Sequence, residues 1–173
     1  MMLMKLKSLE PKDIKKVMKI ENECFTGGVR QSKEDLLRTI QNENQIGIIA
    51  SGRFGKPIGY VLGAPLDFYG NIDDEHQYNP DGTFYGESLA VMPKERGKGI
   101  GSLMLAAMLL EARKKGFKRY VSHAHETLGF REAFNPKVIR EIPEYYGDGK
   151  KAIYYEIDLN SLIEVSKNDK ERS

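Results

Sequence analysis

The chain has 173 residues, a length that suits one domain or one domain with a short tail. Hydrophobic residues make up 40% of the sequence and charged residues 30%, so a packed core is expected and general disorder is excluded. The net charge of +2 is too balanced to favour nucleic acid or an anionic membrane as the main partner.

Two features of the sequence bear on the compartment. The N-terminal residues lack the apolar core and the cleavage site of a secretory signal, and the longest apolar run, 103–110, is too short to cross a bilayer. Cys24 is the single cysteine, so an internal disulfide cannot form, which favours a reducing compartment. We therefore predict a soluble, cytoplasmic protein.

The first part of the chain predicts one strand and two helices before a hairpin. Residues 4–9 are typical of a strand, and the apolar spacing over 13–24 indicates a helix. A second helix is predicted over 32–40, with a serine as its N-cap. An antiparallel hairpin is predicted from two short β-branched runs, 46–50 and 58–66.

A long polar loop separates this hairpin from the next strand. Residues 67–82 are rich in Tyr, Asn, Asp and Gly, and loops of this length often bear on function. Residues 83–92 predict a fourth strand. Residues 102–115 predict an apolar helix that ends in cations followed by Gly116, and such a helix is expected in the interior of an α/β fold.

The last part of the chain gives weaker signals. Residues 117–123 predict a fifth strand and 128–135 a short helix. A final hairpin with a Gly-Asp-Gly connection is predicted from two further strand-like runs, 137–142 and 152–159. Since no repeat or linker is apparent, we expect a single domain over residues 1–160 and a C-terminal tail over 161–173.

The segment Arg96-Gly-Lys-Gly-Ile-Gly101 carries the main functional signal. Alternating glycines permit close approach of the backbone, and a long helix starts at once. The first amide N–H groups of that helix lack intrahelical partners, and the helix dipole is positive there. We therefore predict that a pyrophosphate binds these amides, with Arg96 and Lys98 adding charged donors.

Two common phosphate motifs do not fit this spacing. The Walker A pattern requires Gly-x-x-x-x-Gly-Lys-Ser/Thr and the dinucleotide pattern Gly-x-Gly-x-x-Gly, whereas the glycines here are Gly97, Gly99 and Gly101. Taken alone, three glycines also fit a turn that only lets a helix and a strand pack together.

The flanking residues resemble the acetyl-CoA signature of the GNAT acetyltransferase superfamily. That signature is a strand ending in Val-x-Pro, then Arg/Gln-x-x-Gly-x-Gly/Ala opening an apolar helix; this chain reads Val91-Met-Pro93-Lys-Glu-Arg96-Gly-Lys-Gly99-Ile-Gly101. The resemblance implies an α/β (α+β) fold with a mixed, mostly antiparallel central sheet of about seven strands. Helices would flank the sheet, which would be splayed around strands 4 and 5.

The resemblance also implies an N-acetyltransferase that uses acetyl-CoA as co-substrate. The pyrophosphate would lie on the amides of 96–102, and the pantetheine arm would pair with the edge of the fourth strand. The implied cofactor-binding residues are Leu89, Ala90, Val91, Arg96, Gly97, Lys98, Gly99, Ile100, Gly101 and Ser102. The family is not metal-dependent, and His123 and His125 lack a nearby third ligand, so we predict no metal site.

Acetyl transfer needs a neutral amine, so a carboxylate near the thioester is expected to take a proton. Glu87 lies on the fourth strand, which commonly carries the base in the family, and is the first candidate; a solvent-facing or lysine-paired carboxylate is the alternative. Glu21 is the second candidate. It stands in the segment Ile20-Glu21-x-x-Cys24-Phe25, which resembles the first helix of protein N-terminal acetyltransferases, and the alternative is a solvated helix residue.

The residue that protonates the leaving thiolate is harder to assign. A tyrosine usually does so in the family, but aligning the usual stretch on Leu128-Gly129-Phe130 puts His125 at that position. This alignment leaves too few residues for both a strand and a helix. Tyr145 and Tyr146 resemble the last hairpin of N-terminal acetyltransferases, so Tyr146 is the candidate acid or acceptor contact, with simple packing as the alternative.

The sequence leaves the acceptor open among several classes of amine. The first helix and the last hairpin favour a protein or peptide amine, whereas the acidic and aromatic loop 67–82 could attract a small cationic amine. A second hypothesis is a non-catalytic acyl-CoA-binding module of the same fold, motivated by the altered segment 117–136. Neither nucleic acid nor a membrane is an expected partner, and the oligomeric state stays open, a homodimer included.

Overall fold

The computed structural model describes residues 4–70, 80–125, 129–147 and 149–162. Within these residues the main helices are α1 (Ile14–Cys24), α2 (Lys33–Ile40) and α3 (Ile100–Lys114). The strands are β1 (Lys5–Ser8), β2 (Ile46–Ser51), β3 (Pro57–Pro65), β4 (Thr83–Val91), β5 (Arg119–His125), β6 (Lys137–Ile142) and β7 (Ala152–Asp158). Except for the helix expected over 128–135, the helices and strands predicted from the sequence are therefore present, with shifts of one or two residues at most ends.

All these strands form one sheet in the order β1-β2-β3-β4-β5-β7-β6. Neighbouring strands are antiparallel except β4 and β5, which are parallel. This confirms the predicted mixed, mostly antiparallel sheet of seven strands. The parallel pairing covers only residues 83–86 of β4 against 119–122 of β5, so the remainder of β4 has no β5 partner and the sheet splays at this point.

The two faces of the sheet are covered by different helices. Val17 of α1 and Leu36 of α2 belong to the apolar cluster on one face, and Met104 of α3 to the cluster on the other. The sequence placed α3 in the interior because its residues are apolar all round, but Leu103 and Leu110 are exposed. A single helix lying on a sheet buries one stripe and leaves its outer side to solvent, which explains the difference.

A β-bulge interrupts β4 at Glu87. The register between β3 and β4 shifts by one residue between Leu62 and Gly63, which leaves Glu87 as the extra residue. A bulge breaks the regular alternation of side chains and increases the local twist. As a result Glu87 and Ser88, although adjacent, both face the α1–α2 side, where both bond to residues of α2 or of the segment before it.

The C-terminal part refines the prediction. The helix expected over 128–135 is a 3-10 turn, Gly129–Phe134, and the expected hairpin is the antiparallel pair β6–β7. Much of the predicted loop 67–82 (residues 71–79) and of the tail (163–173) lies outside the described residues. In the part of the chain that is described, no helix is long and apolar enough to span a membrane.

Candidate active site

The glycine-rich segment gives α3 an uncapped N-terminus. Gly97 and Gly99 adopt left-handed conformations with φ of 79° and 80°, and Gly99 is the N-cap residue without a side-chain capping bond. Leu103 N bonds to Gly99 O at 3.0 Å, so the amides of residues 100–102 have no partner within the helix. A methyl group on either glycine would meet open space, so glycine is required here for its backbone conformation.

A cavity of about 480 Å³ is lined by these amides and by the end of β4. Its walls contain every predicted cofactor-binding residue except Lys98, together with Phe25, Glu95 and Arg131. The Lys98 Nζ pairs with Glu95 Oε2 at 2.9 Å instead. The structure therefore places the backbone amides and Arg96 around one cavity, whereas the charge of Lys98 is directed at Glu95.

The edge of β4 beside this cavity offers backbone groups to an added strand. Met92 N donates to Ile58 O at 2.8 Å. Because hydrogen-bonded pairs alternate along antiparallel strands, Ala90 also bonds toward β3. The N–H and C=O groups of Leu89 and Val91 consequently point to the other side, where β5 no longer pairs with β4.

One of these edge groups is already occupied. The carbonyl oxygen of Val91 accepts a hydrogen bond from Arg96 Nε at 2.9 Å and another from Cys24 Sγ at 3.3 Å. These contacts tie the guanidinium group to the end of β4. They leave the N–H and C=O of Leu89 and the N–H of Val91 to receive a guest.

Glu87 projects from the bulge into buried surroundings. Thr39 Oγ1 donates to Glu87 Oε1 at 2.8 Å, whereas Glu87 Oε2 is buried and has no hydrogen-bond partner among the described residues. Burial raises the pKa of Glu87 to about 7 against the opposing effect of the Thr39 bond, and the charges of Asp35 and Glu21 add to the rise. A carboxyl group of this kind, with one open oxygen, can take up a proton at neutral pH.

Glu21 has both carboxylate oxygens engaged. The Tyr60 hydroxyl donates to Oε1, and Gln31 N donates to Oε2 at 3.1 Å. The side chain of Gln31 in turn donates to Ser88 at the bulge. Glu21 is fully buried and burial raises its pKa, so it is not the solvated helix residue that the sequence left open. Its contacts hold the segment before α2 against β4.

A second cavity, of about 290 Å³, adjoins the first and reaches Glu87. The two cavities share Phe25, Leu89 and Arg131. The walls of the second cavity also include Glu21, Val29, Gln31, Glu87, Ser88, Tyr120, Ser122, His123, Ala124, His125 and Tyr146. Glu87 and Tyr146, the candidate base and the candidate acid, therefore line one space next to the amides of α3.

The two histidines of β5 pack among aromatic rings. His123 Nδ1 lies 2.7 Å from the Tyr85 hydroxyl, and its ring stacks on Tyr145 with the centroids 4.2 Å apart. The ring of His125 lies 4.6 Å from that of Tyr146. Among the described residues, no group of three or more His, Cys, Asp or Glu side chains is placed to hold a metal ion.

Several site residues carried no signal in the sequence. Thr39 and Gln31 belong to no motif, and only folding brings them to β4. Arg131 follows the segment in which the family pattern is lost. Phe25 ends the segment Ile20-Glu21-x-x-Cys24-Phe25, but that resemblance did not predict its place in the wall of the first cavity.

Comparison with known proteins places these features in a family context. The family model for the acetyltransferase (GNAT) family matches residues 14–131 of the chain. Among curated proteins, none matches the chain in sequence.

Solved structures share the fold at low sequence identity. The ribosomal-protein-S18-alanine N-acetyltransferase from Escherichia coli has a TM-score of 0.73 at 16% identity, over 91% of this chain and 94% of that chain. The protein yncA from Salmonella typhimurium, solved with its cofactor acetyl-CoA, has a TM-score of 0.70 at 16% identity, over 91% and 94%. Mutant forms of the spermidine/spermine N-acetyltransferase SpeG from Vibrio cholerae give 0.69 at 13% identity, over 94% and 98%.

Proposed function

Because the chain belongs to the acetyltransferase (GNAT) family, whose donor is acetyl-CoA, we propose that it acetylates a primary amine by direct attack in a ternary complex. The donor and the acceptor are then bound at the same time, and no acetyl group becomes covalently attached to the protein during the reaction. The residues that carry this proposal lie in the two adjoining cavities and on the β4 edge between them.

The donor site is supported by two sets of backbone groups. The uncapped amides of residues 100–102 are suited to a pyrophosphate, because an anion at a helix N-terminus is bound by free N–H groups and by the helix dipole. The free edge groups, which are the N–H and C=O of Leu89 and the N–H of Val91, can pair with the amide groups of an extended pantetheine arm. Acetyl-CoA supplies the activated thioester to this site.

Glu87 is the proposed base. The observation that carries the proposal is that Glu87 lines the second cavity and that its buried Oε2 has no hydrogen-bond partner among the described residues. The acceptor enters as an ammonium ion and must lose a proton before its nitrogen can attack. Glu87 Oε2 takes that proton, which its pKa of about 7 permits at neutral pH.

The bond changes of the reaction balance as follows. The amine nitrogen forms a bond to the carbonyl carbon of the thioester, the carbon–sulfur bond breaks, and the nitrogen gives up a second proton. The sulfur leaves as a thiolate and is protonated, so the products are an amide, free CoA and one proton. Tyr146, which lines the same cavity as Glu87, is the proposed acid.

A protein or peptide amine is the acceptor class that the walls of the second cavity favour. The segment that Glu21 holds before α2 and the hairpin that carries Tyr146 flank this cavity from two sides. Glu21 and Tyr146 stand in the two segments whose sequences resemble protein N-terminal acetyltransferases, which supports an amine carried on a protein or peptide.

The test is release of CoA thiol from acetyl-CoA with a panel of amines, measured for wild type, Glu87→Gln and Glu34→Gln. Glu34 is an exposed residue in the first turn of α2, so Glu34→Gln is a matched charge removal away from the cavities. We expect Glu87→Gln to lower kcat at pH 7 by roughly 100-fold, the usual contribution of a positioned base, with CoA affinity by calorimetry unchanged. Equal rates in all three proteins would remove Glu87 as the base.

The same experiment separates the enzyme from a non-catalytic acyl-CoA-binding module. A module would bind CoA in the calorimeter yet release no thiol with any amine in the panel. Calorimetry without CoA binding would contradict both functions.

A further inference from the structure

A third cavity, of about 280 Å³, meets Glu87 from the side of α2. We call it the α2 cavity; it lies between α2 and the 3-10 turn Leu66–Tyr69 that follows β3. It is lined by Gln31, Asp35, Arg38, Thr39, Phe68, Tyr69 and Glu87. It shares only Gln31 and Glu87 with the second cavity, so it is a separate approach to the same carboxylate.

Two buried oxygens in the lining of the α2 cavity lack partners. The Tyr69 hydroxyl and Glu87 Oε2 are both inaccessible to solvent, and neither has a hydrogen-bond partner among the described residues. The other Glu87 oxygen is taken by Thr39, which fixes the carboxylate so that Oε2 is the open one. Buried polar atoms without partners are costly, so a pair of them beside one cavity indicates a guest that bonds to both.

The chemistry of the two oxygens defines that guest. A carboxylate only accepts hydrogen bonds, and a phenol oxygen accepts them as well as donating one. Burial and, after it, the charge of Glu87 raise the pKa of Tyr69 against the opposing effect of the nearby Thr39 side chain, so the phenol keeps its proton. An ammonium group has three N–H donors and can therefore bond to both oxygens at once. The aromatic ring of Phe68 is a further favourable surface for a cation.

We propose that the acceptor amine reaches Glu87 through the α2 cavity, which takes a primary ammonium group carried on an unbranched aliphatic chain. This inference rests on the proposed acetyl transfer and names its acceptor more closely. The ammonium group donates one hydrogen bond to Glu87 Oε2 and another to the Tyr69 oxygen. Glu87 removes the proton that lies in the hydrogen bond to its own Oε2.

The size and the mouth of the α2 cavity agree with this class. At about 30 Å³ for a water-sized group, the cavity holds roughly nine such groups, enough for a slender chain. A peptide α-amine would bring peptide groups that need their own partners in the same space. At the mouth Asp35 and Arg38 are exposed and pair with each other, so the entrance carries no net charge to repel a cation.

The experiment measures KM and kcat for n-butylamine, for a lysine peptide with a blocked N-terminus, and for a lysine-free peptide with a free N-terminus. We expect both aliphatic amines to be acetylated at least tenfold more efficiently than the free α-amine. If the lysine peptide is acetylated more efficiently than butylamine, the aliphatic amine belongs to a protein. If butylamine is acetylated more efficiently, the acceptor is a free amine. A preference for the free α-amine would overturn the assigned class.

Two variants test whether the amine enters through the α2 cavity, and a third variant is their control. Tyr69→Phe is expected to raise the KM for butylamine roughly tenfold, as for a lost hydrogen bond to a charged group, and to leave the KM for acetyl-CoA unchanged. Asp35→Lys, at an exposed position, is expected to raise the same KM because it breaks the pair with Arg38 and leaves two cations at the mouth. Tyr155→Phe removes a buried phenol oxygen from the α3 side and is the control expected to change neither KM.

Failure of the route and failure of the proposed function give different results. If Tyr69→Phe and Asp35→Lys behave as wild type while Tyr146→Phe raises the amine KM, the acceptor uses the second cavity and the proposal is overturned, although acetyl transfer stands. If wild type binds CoA but releases no thiol with any amine, the proposed function is overturned together with the route.

Discussion

Thr39 on α2 donates a 2.8 Å hydrogen bond to Oε1 of Glu87 on β4, and so joins the helix layer to the bulge. A hydrogen bond to the charged form of an acid lowers its pKa, so this contact opposes the effect of burial on Glu87. Thr39→Val keeps the shape of the side chain and removes the donor. We expect its pH–rate profile to rise at a higher pH than that of wild type, whose midpoint is expected near pH 7 from the pKa of Glu87.

The conservative variant Thr39→Ser is the matched control for this prediction. It keeps the hydroxyl group, so the midpoint is expected to return toward that of wild type. A purely structural role for Thr39 would lower stability in Thr39→Val without moving the midpoint.

The raised pKa of Glu87 also predicts how stability depends on pH. The folded state holds the Glu87 proton more tightly than the unfolded state, whose pKa is about 4.5, so stability is lost as pH rises from about 4.5 through about 7. A shift of this size corresponds to at most about 3 kcal/mol above pH 7. Glu87→Gln lacks the charge, so we expect it to be more stable than wild type at pH 8, with a much smaller difference at pH 5.

Urea unfolding of both proteins at the two pH values checks this prediction. Because Asp13 is present in both proteins and is not among the charges that act on Glu87, its own shift cancels in the comparison. An equal stability difference at pH 5 and pH 8 would mean that Glu87 does not titrate in this range.

The left-handed glycine before α3 predicts a defect in donor binding. Gly99→Ala forces an alanine into φ of about 80°, at a cost of about 1 to 2 kcal/mol, and the turn is expected to relax and displace the α3 amides. We expect the Kd for CoA, measured by calorimetry, to rise roughly tenfold.

Gly116→Ala is the control for that variant. Gly116 has φ of 98° in open space just after the far end of α3, so it carries similar strain away from the cavity. It is expected to lower the melting temperature with no change in the Kd for CoA. Equal effects of the two variants on Kd would trace the loss to general destabilisation.

The network around Glu21 predicts a positioning role that can be told apart from a role as base. Glu21→Gln keeps the shape and an oxygen that accepts a hydrogen bond, so we expect most of the activity to remain. Glu21→Ala leaves the Tyr60 hydroxyl and the Gln31 amide without a partner, and is expected to cost about 2 kcal/mol or more of stability. A loss of activity in Glu21→Gln as large as in Glu87→Gln would show that Glu21 removes the proton.

The parts of the site that follow one after another along the chain could be predicted from the sequence. The end of β4, the glycine turn and the start of α3 are consecutive, and local rules about strands, glycines and helix termini identify them. Lys98 shows the limit of such reasoning, because the side chain that was predicted to bind the anion pairs with Glu95, three residues earlier, in the folded protein.

The parts that depend on distant segments could not be predicted in this way. Thr39 is far from Glu87 in sequence, and Tyr69 lies in a turn without a motif. The bulge on β4 is a shift of register between two strands. Gly86 inside the strand hints at a bulge but does not say which residue is the extra one. The sequence could identify Glu87 as the candidate base from its place on the strand. Only the packing of α2 against β4 shows which of its two oxygens has no hydrogen-bond partner among the described residues.

The bulge has a consequence for how the protein tolerates heat. The proposed base and the edge groups that receive the donor belong to one stretch of backbone, and residues along a strand are about 3.3 Å apart, so their spacing is fixed by covalent bonds. The walls proposed to recognise the amine come from a helix and a turn that are only packed against that strand. On gentle warming, the selectivity among amines is therefore expected to decrease at a lower temperature than the affinity for the thioester donor.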